Sequence, residues 1–116
     1  MESTKKTNAL LSEYANTVKE IYGNTLNKII LYGSYARGDY KNDSDIDIMI
    51  LLNVPHEQER DKIRELIDAT CDFNMEHNLD IQPIPKSDTL FQKWQNVLPF
   101  YKNIAKEGIP LYADTK

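Results

Sequence analysis

The chain has 116 residues, of which 41% are hydrophobic and 28% are charged, which predicts one globular domain over residues 1–116. Its net charge of −4 argues against direct binding to nucleic acid, because that affinity depends on Lys and Arg neutralising phosphates. The single cysteine excludes an internal disulfide, and no long apolar stretch resembles a signal peptide or a membrane span. We therefore expect a cytoplasmic protein without membrane association.

The first half of the chain predicts a helix followed by two strands. Apolar residues recur at helical spacing over about residues 8–22. Residues 28–32 form a short apolar run that Gly33 and Ser34 end abruptly, which is typical of a buried strand entering a tight turn. A short helix could open at Ser34, and a second strand is expected over residues 45–52.

The middle of the chain predicts a helix and a third strand. Helical spacing over residues 56–77 places Cys71 on the apolar face, as a small buried hydrophobe, together with Ile63, Leu66, Ile67, Thr70 and Asn74. A third strand is expected over residues 79–84. Pro83 and Pro85 predict that this strand lies at an edge of its sheet or frays at its end, because proline lacks the N–H that a central strand needs.

The last thirty residues predict two short helices and a closing strand. Ser87 is placed to cap the first helix, and Pro99 suits the first turn of the second. That second helix is expected to bury Phe100 and Ile104, and residues 109–112 to add a short strand. The order of elements predicts an α/β fold in which a short mixed sheet is backed by helices.

The second strand carries two acidic residues in an unusual position. Because side chains alternate along a strand, Asp45 and Asp47 share a face with Met49 and Leu51, so that face turns apolar halfway along. The strand is therefore expected to be buried on both faces, with two carboxylates at its N-terminal end. Two unit charges about 4 Å apart repel by roughly 4 kcal/mol at an effective dielectric of 20, and a divalent cation turns that repulsion into attraction.

Asp80 occupies a similar position at the start of the third strand. If that strand returned beside the second one, the carboxylates of Asp45, Asp47 and Asp80 could converge. Oxygen ligands from two or three carboxylates suit Mg²⁺, which completes its octahedron with water and phosphates. The alternative is that Asp45 and Asp47 only cap the start of a strand or keep it soluble.

The turn after the first strand has the composition of a phosphate site. Gly33 lets a phosphate approach the main chain, while the Ser34 hydroxyl and nearby amides can donate hydrogen bonds to it. Arg37 adds a cation one turn later. Taken alone, this segment is far more typical of an ordinary strand-to-loop turn followed by a surface arginine.

The two motifs together carry a resemblance. GSYARG at 33–38 and SDIDI at 44–48 leave ten residues between Ser34 and Asp45. This pattern resembles the minimal nucleotidyltransferases of the DNA polymerase β-like superfamily, in which a glycine-serine turn precedes an Asp-x-Asp strand. The resemblance implies that Gly33, Ser34 and Arg37 bind the nucleotide and that Asp45 and Asp47 bind metal, with Asp80 as the third carboxylate.

The resemblance also implies an activity, namely transfer of AMP from ATP to a hydroxyl. Two Mg²⁺ ions about 3.5–4 Å apart would activate the attacking oxygen and neutralise the leaving pyrophosphate. All three carboxylates would serve the metals, and Asp80 is the candidate base or base-assisting ligand.

Relatives of this type are often paired with a HEPN-domain toxin, a helical ribonuclease, and act as its antitoxin by adenylylating a tyrosine on it. The resemblance thus implies a hetero-oligomer with such a toxin. Two other interpretations stay open. The acceptor could be a small hydroxylated molecule such as an aminoglycoside, or the chain could be a non-catalytic module that occludes a partner.

Several other side chains are given structural interpretations. Tyr32, Tyr35 and Tyr40 surround the turn, where they could stack on a base but are more typical of packing. His56 and His77 lie at opposite ends of the predicted helix, so we expect them at the surface, with no zinc site.

Overall fold

The computed structural model describes residues 2–38 and 45–113, with side chains from residue 7 onward. The strands are β1 (Leu26–Tyr32), β2 (Ile46–Leu52), β3 (Ile81–Ser87) and β4 (Ile109–Ala113). The helices are α1 (Glu2–Tyr22), α2 (Ser34–Arg37), α3 (Ile63–His77), α4 (Asp88–Trp94) and α5 (Pro99–Glu107). The predicted mixed sheet backed by helices is confirmed. None of the described helices is long and apolar enough to cross a bilayer.

The sheet has the strand order β3-β2-β1-β4, and its directions bring three strand ends together. β1 runs antiparallel to both β2 and β4, whereas β2 and β3 are parallel and are connected through α3. Tyr32 at the end of β1 therefore lies opposite Asp47, and Ile46 lies opposite Ile81. The carboxyl end of β1 and the amino ends of β2 and β3 consequently meet at one end of the sheet.

The strand β2 is buried on both faces, as predicted. Its residues at 46, 48, 50 and 52 pack with α1 and α3 in the larger core cluster. Met49 and Leu51 point the other way, into a smaller cluster with Phe91 of α4 and Ile104 of α5. With helices packed against both faces, β2 is fixed in its register, since a slip of one residue would exchange its two faces.

The predicted helix over residues 56–77 is wrong in its first turns. A short 3₁₀ turn spans His56–Gln58, and α3 begins only at Ile63. The reason lies in Glu59, which is buried and accepts a hydrogen bond at 2.7 Å from the backbone N–H of Ser87. The segment before α3 is therefore bound to the end of β3 instead of continuing the helix.

The predicted apolar face of α3 is also partly wrong. Its buried residues are Leu66, Thr70 and Phe73, whereas Cys71 is exposed and the side chain of Ile67 is 47% exposed. The helix contacts the edge of the sheet, so one flank of its apolar arc lies beyond the last strand. Sequence spacing does not reveal where a sheet ends.

The C-terminal elements follow the prediction apart from two side chains, Phe100 and Ser87. Pro99 begins α5, Ile104 is buried, and β4 pairs with β1. Phe100, expected in the core, is 51% exposed. Ser87 precedes α4 at the cap position without a capping side-chain hydrogen bond. The edge position of β3 is confirmed.

A hydrogen bond of Tyr14 connects α1 to α3. We expect Tyr14→Phe to lower the free energy of unfolding by about 1–3 kcal/mol. The Tyr14 hydroxyl is hydrogen-bonded to Thr70 at 2.7 Å in the core, and the variant leaves the Thr70 hydroxyl buried without this partner. Urea denaturation measures the loss. The double variant with Thr70→Val, which removes both polar groups, should recover part of it, and a larger loss in the double variant would contradict this account.

Candidate active site

The turn after β1 is built on two glycines. Gly33 has φ 76° and ψ −154°, a conformation that is essentially restricted to glycine. Its carbonyl accepts hydrogen bonds at 3.1 Å from the N–H groups of Ala36 and Arg37, which begins the single turn of α2. Gly38 then ends this turn in the left-handed conformation with φ 83°. The predicted short helix opening at Ser34 is confirmed.

Gly33 also lies against the carboxylate of Asp47. A Cβ atom at position 33 would lie 2.5 Å from Oδ2 of Asp47, so only glycine leaves room for that carboxylate. The half-buried position of Asp47 raises the pKa of its carboxyl group, and the Arg37 guanidinium acts in the opposite direction. The glycine turn, the arginine and the second-strand carboxylate therefore form one continuous surface.

Asp45 and Asp80 meet at the adjoining strand ends. The backbone N–H of Ile46 donates to the Asp80 carbonyl at 2.9 Å, which holds the two segments side by side. A side-chain hydrogen bond with Asp80 and the negative charge of Asp80 are the main causes that raise the pKa of Asp45, followed by desolvation and by the charge of Asp47. Nε2 of Gln82 donates to Oδ1 of Asp80 at 2.7 Å and orients it.

The donor chemistry of this region suits Mg²⁺. Three carboxylates lie at the ends of neighbouring strands, and the pKa of Asp45 is raised by acidic neighbours whose repulsion a divalent cation would relieve. Within residues 2–38 and 45–113, no three His, Cys, Asp or Glu side chains lie close enough together to hold a metal ion. Asp45 pairs with Asp80, while Asp47 packs against Gly33.

A cavity of about 250 Å³ lies beside the turn and includes residues that the sequence analysis missed. Phe100, Asn103 and Glu107 of α5 line it together with Gly33 and Asp47. The signal for these residues was their spacing, since positions 100, 103 and 107 share one side of a helix. The partial exposure of Phe100 thus leaves an aromatic ring facing the candidate site.

The remaining candidates behave mainly as structural residues. Tyr32 is buried, packs edge-to-face on Phe100 with 5.9 Å between ring centroids, and has its pKa raised by burial to about 12. Tyr35 packs against the larger core cluster. His56 is exposed, as expected, whereas His77 is only partly exposed and packs on Phe73. Tyr40 and Ser44 lie outside the described residues.

The Gly33 turn packs on Asp47 beside the Asp45–Asp80 pair, which is the arrangement that the sequence analysis associated with a transferase acting on nucleotides. The family model for the nucleotidyltransferase domain matches residues 11–111. The chain therefore belongs to the nucleotidyltransferase domain family and is a nucleotidyltransferase.

Similar proteins agree with this assignment. "Putative protein adenylyltransferase MJ0604" of Methanocaldococcus jannaschii is 37% identical over 102 residues, which cover 88% of this chain and 94% of that protein. A crystal structure of a "putative nucleotidyltransferase" from Sulfolobus solfataricus aligns over 99% of this chain and 87% of its own with a TM-score of 0.57 and 19% identity. The second likeness concerns the fold alone.

Gly33→Ala should lower the free energy of unfolding and reduce the thermal stabilisation by ATP with Mg²⁺. The added Cβ overlaps Asp47. Alanine must also adopt the positive-φ backbone conformation of Gly33, which costs on the order of 1–3 kcal/mol. Gly23→Ala is the matched control, because Gly23 also has positive φ (56°) but no atom lies within 4 Å of its added Cβ. Equal losses of nucleotide stabilisation in both variants would show that Gly33 has no special role.

Asp45→Asn should raise the melting temperature of the metal-free protein at neutral pH, because it removes the repulsion that raises the pKa of Asp45. A carboxyl group whose pKa is raised by folding destabilises the folded state once it ionises. The gain should therefore shrink as the pH falls towards the ordinary value of 3.8. Thermal scans in EDTA measure it, with the exposed Asp68→Asn as control. A gain that grows on acidification would refute this electrostatic account.

Proposed function

We propose that this nucleotidyltransferase moves AMP from ATP to a protein hydroxyl, and that the acceptor is a tyrosine of a HEPN-domain toxin. The observation that carries the proposal is the meeting of Asp45 with Asp80, next to an Asp47 carboxylate that packs on the Gly33 turn. The name of the Methanocaldococcus jannaschii relative, a protein adenylyltransferase, supports a protein as acceptor.

In this proposal the nucleotide would lie between the Gly33 turn and α5. Gly33 and Ser34 would bind the triphosphate through main-chain and hydroxyl groups, with the Arg37 cation next to them. The cavity lined by Phe100 and Asn103 adjoins this turn and offers an aromatic surface and an amide to the nucleoside. The α-phosphate would then lie near Asp47 and Asp45.

In the proposed reaction the acceptor oxygen bonds to the α-phosphorus, the bond from that phosphorus to the bridging oxygen breaks, and pyrophosphate leaves. Asp80 is the carboxylate that would take the acceptor proton, with Gln82 fixing its orientation at 2.7 Å. Mg²⁺, for which Asp45, Asp47 and Asp80 supply suitable ligands, would neutralise phosphate charge when bound. Arg37 would contribute further positive charge beside Asp47.

The partner is proposed from chemistry and from the family resemblance. A net charge of −4 complements a basic, RNA-cleaving protein. Modification of a tyrosine adds a phosphate group, which changes the charge and hydrogen bonding at the surface where it is placed. Adenylylation of a toxin tyrosine would in this way silence a ribonuclease.

Incubation with Mg²⁺ and α-labelled ATP should transfer label to a tyrosine of a purified HEPN-domain protein. Changing both Asp45 and Asp47 to Asn should reduce the rate by roughly a hundredfold or more, the order that removing one electrostatic stabiliser of a transition state costs. Mass spectrometry locates the AMP, and the exposed Asp68→Asn serves as control.

Two results would redirect the proposal. Label on an aminoglycoside but on no protein would replace the acceptor with a small molecule. Protection against the toxin by the double Asn variant, equal to that given by the wild-type chain, would show that neutralisation does not require transfer.

A further inference from the structure

A groove of about 620 Å³ runs between α3 and the outer edge of β3. Its α3 side includes Ile63, Ile67 and Cys71, and its β3 side includes Pro83. Asp80 stands at the end where β3 begins. We call this surface the α3–β3 groove. It is open because the apolar arc of α3 extends past the edge of the sheet.

The outer edge of β3 has its first and last N–H groups occupied from within the chain. The Ile81 N–H donates to Oδ1 of Asn74 at 2.9 Å, and the Asn74 amide donates back to the Ile81 carbonyl at 3.2 Å. At the other end, the Glu59 carboxylate accepts the Ser87 N–H at 2.7 Å. These contacts show that residues 81 and 87 direct their backbone groups away from β2.

Two prolines remove the N–H groups between these ends. Backbone groups alternate sides along a strand, so Pro83 and Pro85 face the same way as Ile81 and Ser87. The edge therefore presents carbonyl oxygens to the groove without N–H groups to match them. A strand added here would lose half of its ladder hydrogen bonds, which excludes β-strand addition as the way this surface is used.

The groove also reaches the candidate active site, on the side away from the Gly33 turn. Gly33 follows β1, Asp45 precedes β2 and Asp80 precedes β3, and these strands lie in the order β1, β2, β3. The nucleotide turn and the groove are thus on opposite sides of Asp45. An acceptor lying in the groove would bring its hydroxyl to Asp80 without crossing the nucleotide.

We propose that the α3–β3 groove binds a helical segment of the acceptor protein and thereby delivers its hydroxyl to Asp80. The inference rests on the proposed protein adenylylation. A helix satisfies its own backbone, so it can cover Ile67 with apolar side chains and direct Arg, Lys or amide donors to the carbonyls of Pro83 and Pro85. The charged lining is mixed, since Arg60 and the Lys86–Glu59 pair at 3.7 Å accompany Asp80, so it is the carbonyl edge that favours such donors.

Ile67→Glu tests the groove, with Met75→Glu as a matched control on the same helix. Ile67 is 47% exposed within the groove, whereas Met75 is 84% exposed and does not line it. With the HEPN-domain protein as acceptor, we expect Ile67→Glu to raise KM for the acceptor about tenfold or more. The kcat and the thermal shift with ATP and Mg²⁺ should stay unchanged, and Met75→Glu should behave like the wild-type chain.

Cys71 gives a second measurement that does not depend on activity. It is the only cysteine, is exposed and lines the groove, so its labelling by a maleimide reports whether the groove is covered. The HEPN-domain protein should slow this labelling, measured on the peptide of this chain by mass spectrometry. ATP with Mg²⁺ alone should leave the rate unchanged.

The outcomes separate the groove from the proposed function. A normal acceptor KM for Ile67→Glu, or Cys71 labelling that the partner leaves unchanged, would overturn docking in the groove while leaving AMP transfer intact. If the wild-type chain labels no protein, adenylylation fails, and protection of Cys71 would still establish the groove as the partner site. Loss of the nucleotide thermal shift in Ile67→Glu would assign its effect to folding and overturn the inference.

Discussion

The repulsion between carboxylates at one end of the sheet is the constraint on which the site depends. The backbone N–H of Ile46 donates to the Asp80 carbonyl, which places Asp45 and Asp80 side by side where the parallel pairing of β2 and β3 begins. The large core cluster on one face and the smaller one on the other hold this pairing in place. The fold thus keeps acidic groups together that would separate in a free chain, and the proposed Mg²⁺ would offset their repulsion.

The strands and the helix around the site bring the Gly33 turn and the acidic side chains to the same end of the sheet. The antiparallel pairing of β1 with β2 brings Tyr32 opposite Asp47, which puts the Gly33 turn next to the second carboxylate. The crossover through α3 makes β3 parallel to β2 and delivers Asp80 to the same end of the sheet. The nucleotidyltransferase family assignment agrees with this geometry, since nucleotidyl transfer needs a phosphate-binding turn next to acidic side chains.

The features that depend on local sequence were predicted correctly. The features that depend on where the sheet ends were missed. The two-faced burial of β2, the glycine turn and the edge position of β3 followed from alternation, φ restrictions and proline. The start of α3 did not, because the Glu59 carboxylate binds the N–H of Ser87, a contact across 28 positions. The exposure of Cys71 and Phe100 depends on which flank of each helix overhangs the strands, which helical periodicity alone does not determine. The metal and nucleotide roles of the site residues stay predictions.

The outer edge of β3 has a consequence for behaviour at high concentration. An exposed edge strand is a common place for copies of a protein to join into growing sheets. Here Pro83 and Pro85 lack N–H groups, and the side chains of Asn74 and Glu59 already accept the N–H groups of Ile81 and Ser87. That edge therefore cannot pair with a further strand. The molecule can therefore keep the α3–β3 groove open without a second copy extending the sheet through it.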